Sequence, residues 1–100
     1  MHIPRGFYYH YKHDPQKGIN DHAYEVIGLG KHTEDETITV IYRPLYANTF
    51  LAPADYSIRP LSMFIENVEI NGKTVPRFQK IEDLKIVEKL EEIKKGMDKK

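Results

Sequence analysis

The chain has 100 residues, no cysteine, and 15 Lys and Arg balanced by 15 Asp and Glu. One small domain fits that length; disulfides, thiolate metal centres and cysteine nucleophiles are excluded, and zero net charge weighs against strong non-specific nucleic-acid binding. With 40% apolar residues, no run near the roughly 18 needed to span a bilayer and no signal-peptide pattern in "MHIPRGFYYHYKHD", the chain reads as globular, soluble and cytoplasmic.

"FYYHYK" (Phe7–Lys12) is an aromatic-rich first strand. Alternation puts Tyr8, His10 and Lys12 on one face and Phe7, Tyr9 and Tyr11 on the other. One set can be core and the other then meets solvent or a ligand; Phe7 and Tyr9 are expected in the core, with Tyr8, His10 and Lys12 on the wet face. "HDPQKGINDH" (His13–His22) is a polar loop, and "AYEVIGLGK" (Ala23–Lys31) a second strand. Alternation there puts Tyr24, Val26, Gly28 and Gly30 on one face and Ile27 and Leu29 on the other. "HTEDE" is a turn, and "TITVIYR" (Thr37–Arg43) a β-branched third strand with Ile38, Val40 and Tyr42 on one face.

Pro44–Ser57 reads as a long irregular loop of the kind that often carries function. "IRPLSMF" (Ile58–Phe64) begins extended, because Arg59 precedes a proline, and then makes one helical turn. Asn71-Gly72 between two β-prone runs signals a type I′ hairpin. Four or five short strands with one long loop predict a mainly β fold, a small, strongly bent barrel or roll over residues 1–79.

Residues 80–100 contain no aromatic and no proline. Ile86, Leu90, Ile93 and Met97 recur at helical spacing, and Leu84 and Val87 widen the stripe. This amphipathic helix is expected to dock on the β body rather than self-associate, since its heptad pattern is too short for a coiled coil. Residues 1–79 carry 8 basic and 9 acidic side chains, and residues 80–100 carry 7 and 6, so neither part is strongly basic.

No catalytic motif is present. His10 and His13 are three apart and point to opposite faces of a strand, "HExxH" is absent, and no metal or cofactor is expected. "GLGK" (Gly28–Lys31) lacks the rest of a phosphate loop, and its glycines suit a bent strand passing close to a neighbour. The informative pattern is aromatic and basic residues interleaved. A face of tyrosine, histidine and lysine can stack on planar groups and bond their edges, and Arg43, Arg59 and Arg77 can add anion contacts.

The ordered series "GFYYHYK", "YEVIGLGKHTE", "VIYRPLY" and "IRPLSMFIENVEINGKTVPRF" resembles a small bacterial family, domain of unknown function 1653. The resemblance implies an SH3-like barrel and an unassigned role. It maps onto Tyr8, His10, Tyr11 and Lys12; Tyr24, Gly28, His32 and Glu34; Tyr42, Arg43, Leu45 and Tyr46; and Arg59, Pro60, Met63, Phe64, Pro76, Arg77 and Phe78. Relative to that pattern, His13–Ala23 looks like an insertion, which sets His13 and His22 aside. The stretch "ANTFLAPADYSI" also looks longer than its equivalent. Met63, Phe64, Leu45 and Phe78 are expected in the core.

The candidate ligand-binding residues are therefore Tyr8, His10, Lys12, His32, Tyr42, Arg43, Tyr46 and Arg59. They point to a binding module for a peptide, protein or small anionic ligand, acting as a monomer or weak homodimer without a membrane partner. One alternative is a small hydrolase or transferase with His10 or His32 as base and Arg43 or Arg59 as anion clamp. The other is an assembly domain acting through the C-terminal helix.

Overall fold

A computed structural model describes residues 3–46 and 56–98. Most of the long loop expected between Pro44 and Ser57 falls outside them. The described strands are β1 (Gly6–His10), β2 (Ala23–Lys31), β3 (Ile38–Pro44), β4 (Ser57–Pro60), β5 (Asn67–Ile70), β6 (Lys73–Pro76) and β7 (Phe78–Lys80). A one-turn helix α1 (Leu61–Phe64) follows β4, and a long helix α2 (Leu84–Asp98) ends the chain. No described helix is long and apolar enough to cross a membrane.

The fold is mainly β, with more strands than the four or five expected. The larger sheet has the antiparallel order β4-β3-β2-β1-β7, and β5 pairs with β6 in a separate hairpin. Strands β4 and β7 are the two outer strands, so the described pairings form an open sheet rather than a closed barrel. The hairpin turn is as expected. Ile70 pairs with Lys73, and Asn71 (φ +52°) and Gly72 (φ +79°) both take the left-handed region that a type I′ turn requires.

Both faces of the sheet are covered. One carries Tyr8, Val26, Val40 and Tyr42, closed over by Phe64 of α1 and Phe78 of β7. The opposite face carries Phe7, Ala23 and Leu45 and is sealed by Ile81 and by Leu90 of α2, with Ile86, Val87, Ile93 and Met97 around them. The amphipathic stripe thus docks on the β body. Leu84 is not part of it and stands 74% exposed. Met63, expected in the core, is also exposed, because α1 is a single turn and buries only Phe64.

The expected wet face of β1 is corrected at one residue. Tyr8 is buried, edge-on to the Phe64 ring, and its hydroxyl donates to the Pro4 carbonyl at 2.8 Å. Alternation identifies two faces of a strand but cannot say that both are covered. A second correction lies in β2. A β-bulge between Val26 and Gly28 shifts the register, so Gly28 and Gly30 leave the Val26 face and pair with Ile41 and Thr39. At Gly30 a Cβ would come to 3.0 Å from Ile41 Cδ1, so a larger residue there requires the Ile41 side chain to shift.

Candidate functional site

Antiparallel pairing from β1 to β4 gathers polar and aromatic side chains at one end of the Tyr8 face. His10 ends β1, and its amide donates to the His22 carbonyl at 3.0 Å, which brings the two imidazoles to 5.7 Å between centroids. The His10 ring also meets the Phe78 ring edge-on at 5.1 Å. From the third and fourth strands, Tyr42 and Arg59 reach the same place. Arg59 lies over the Phe78 ring at 5.6 Å, and its Nε–H donates to the Tyr42 hydroxyl at 3.2 Å. Tyr46 follows β3, its hydroxyl bonded to that of Tyr24 and its ring 5.7 Å from His22.

The protonation of this cluster follows from its contacts. His10 Nδ1 accepts from the Lys12 amide at 3.2 Å, so in the neutral ring the proton sits on Nε2. Burial lowers the His10 pKa to about 4, and the positive groups His22, Arg59, Lys12 and Arg77 add to the effect. At neutral pH His10 is therefore an uncharged donor in a positive field. His22 Nδ1 lies 3.0 Å from Asp21 Oδ2, which also accepts the Asp14 amide at 2.9 Å. These bonds, the His22 one foremost, hold the Asp21 carboxyl below its usual range. Burial and the bond to Tyr46 raise the Tyr24 hydroxyl well above the ordinary phenol value.

Three groups in the cluster keep hydrogen-bonding capacity in hand. His10 Nε2, His22 Nε2 and the terminal nitrogens of Arg59 have no hydrogen-bond partner among the described residues, and none of them is sealed from solvent. Beside them, Arg77 donates from Nη2 to Glu66 at 2.8 Å while its buried Nε has no partner among the described residues.

Of the eight expected site residues, His10, Tyr42, Tyr46 and Arg59 come together here. Lys12 is exposed at the margin, its Nζ 5.9 Å from the Tyr11 ring centroid. Tyr8 belongs to the core. Arg43 is on the opposite face of the sheet, buried under α2, where its Nε–H donates to Glu25 at 3.0 Å and Glu25 also meets Lys94 at 2.7 Å. His32 stands exposed in the β2–β3 turn, with Asp35 3.4 Å away. His10 and His32 lie near opposite ends of β2, separated by roughly 30 Å of strand. His22 and Tyr24 were not among the expected residues. Treating His13–Ala23 as an insertion removed His22, although its place just before β2 is where a residue meets the end of β1.

A groove of about 340 Å³ adjoins the cluster, lined by Tyr9, His10, Tyr11, His13, Val75, Pro76 and Gln79. His10 is the one expected residue on its wall. His13 stacks on Tyr9 at 3.6 Å, and its Nδ1 lies 2.6 Å from the Asp21 carbonyl. No group of three or more His, Asp or Glu side chains is gathered for a metal among the described residues.

A family model described as a protein of unknown function (DUF1653) matches residues 6–80. The chain belongs to the DUF1653 family. The DUF1653 match runs from the start of β1 to the end of β7 and stops before α2. A crystal structure of a DUF1653 protein from Bordetella bronchiseptica is similar in fold, with a TM-score of 0.64 and 32% identity, covering 79% of this chain and 87% of that one. No match was found among curated proteins. Every residue of the His10–His22–Arg59 cluster lies inside the DUF1653 span.

Proposed function

We propose that this DUF1653 chain is a binding module for a small organic anion. The observation that carries the reading is the set of unspent donors at one place: a neutral His10 Nε2–H and the free end of Arg59, with the cations of Arg59, Lys12 and Arg77 acting on His10. Such a site pairs with a carboxylate or phosphate, and Arg59 is already oriented by Tyr42 and Phe78. The adjoining aromatic groove accommodates the organic part, at a volume typical of small-ligand sites. A peptide or protein would be recognised through the same chemistry if it presented a carboxylate.

An acid–base enzyme built on His10 and His32 is disfavoured, because the two do not share a pocket and His10 holds its proton where it can only donate. Assembly through α2 is disfavoured because its apolar face is occupied within the chain, which supports a monomer. The five-stranded antiparallel sheet, its bulge and the separate hairpin support reading the fold as an open relative of the SH3-like barrel.

The test is an amide and side-chain shift titration with acetate, phosphate and a mononucleotide. Binding is expected to move His10, His22 and Arg59 Nε signals, and Arg59→Ala to weaken it about tenfold or more. Silence of these signals toward all three anions overturns the reading.

A further inference from the structure

We propose that the Asp21–His22 pair gives this anion site a proton acceptor, and so selects an oxyanion that still carries a proton above neutral pH: inorganic phosphate, as hydrogen phosphate. The inference rests on the anion-binding reading above. An ionised carboxylate can only accept, so His22 carries a proton on Nδ1 toward Asp21 Oδ2, 3.0 Å away. In the neutral ring Nε2 is then a bare lone pair. Asp21 cannot swing away freely, since the same Oδ2 also holds the Asp14 amide. His22 is itself fixed, with φ at +49° where the loop turns into β2 and its ring between His10 and Tyr46.

The cluster thus offers donors at His10 Nε2 and Arg59 and one acceptor at His22 Nε2. Hydrogen phosphate satisfies all three: its bare oxygens accept and its P–O–H donates, whereas a phosphate monoester has already lost that proton. Sulfate has the same shape and charge but no proton, and sets a lone pair against a lone pair. A carboxylate without a neighbouring hydroxyl has the same defect. The discrimination comes from that repulsive pairing, because the His22 side chain is partly exposed and its acceptor is not a buried one.

The experiment uses the full chain at about pH 8, and imidazole 15N shifts showing His22 Nε2 protonated there overturn the proposal. Phosphate, sulfate and ribose 5-phosphate are titrated at matched ionic strength, with imidazole 15N shifts as readout. Phosphate is expected to bind about tenfold or more tighter than sulfate. It should move His22 Nε2 with Nδ1 protonated throughout, whereas sulfate leaves Nε2 unmoved. Ribose 5-phosphate has no P–O–H at this pH and is expected to bind as weakly as sulfate; binding as tight as phosphate overturns the proton-reading role. His22→Gln, which can donate or accept, keeps the Asp21–Asp14 contact and should bring the two anions within about threefold of each other. Equal affinity for sulfate and phosphate in the parent chain, or an unchanged ratio in His22→Gln, overturns the proton-reading role while anion binding stands. If no anion binds, both readings fall.

Discussion

At the residue scale, His10 shows how burial decides a charge. Its pKa falls from 6.5 to about 4, so the native ring stays neutral over a range where an unfolded one is protonated. Stability linked to His10 is then fully present above the unfolded value of 6.5, declines as pH drops below it, and stops declining below about 4. Urea midpoints between pH 7 and 4 should fall less steeply in His10→Gln than in the parent, and the His10 ring signal should titrate near pH 4. A midpoint near 6.5 would show that the ring is not desolvated. His10 and Arg59 were legible in the sequence because polar residues interleaved with aromatics stand out on short strands. Tyr8 and Arg43 were misplaced for a shared reason: alternation assigns faces but does not say what covers them. Here Phe64 covers Tyr8, and α2 covers Arg43 beside its carboxylate partner.

At the scale of elements, α2 is held by a cap, a stripe and an ion-pair link. The Asp83 carboxylate accepts from the Lys85 amide at 2.9 Å and lies 3.5 Å from the Ile86 amide, closing the first turn. Asp83→Ala should cost about 1 kcal/mol in chemical denaturation. Glu25 joins helix to sheet, bonded to Arg43 in β3 and to Lys94 in α2. The Lys94 pKa is raised chiefly by that bond. Because Glu25 and Arg43 are nearly out of water, removing the shared carboxylate should cost far more than removing the lysine. Glu25→Ala is expected to lose roughly 3 kcal/mol, and Lys94→Ala under about 1 kcal/mol because Lys94 is partly solvated. Equal losses would show that Glu25 and Arg43 are not the dominant pair. The hairpin and the stripe could be read in advance, since each depends on residues close in sequence. The β2 bulge could not, because it depends on how β2 and β3 meet, and nothing local marks the extra residue.

At the scale of the whole molecule, α2 lies beyond the DUF1653 match and yet closes one of the two apolar clusters. The boundary near residue 80 was legible as a change of composition, and it marks a change of element without separating two cores. Leu90 is fully buried against the Phe7, Ala23 and Leu45 side of the sheet, so the β body presents that side to α2 rather than to water. Leu90→Ala should cost roughly 3 kcal/mol, the usual range for a large-to-small core change, whereas Leu84→Ala, at the exposed start of the same helix, should stay within about 0.5 kcal/mol. Truncation after Ile81 removes the whole cover and leaves a contiguous apolar face, which a marginally stable small domain is not expected to tolerate. The shortened chain should lose cooperative thermal unfolding or associate in sedimentation. A truncated chain that stays monomeric and melts cooperatively near the parent temperature would show that residues 3–81 fold without α2. The anion titration could then be repeated on that fragment, because every residue of the cluster is retained in it.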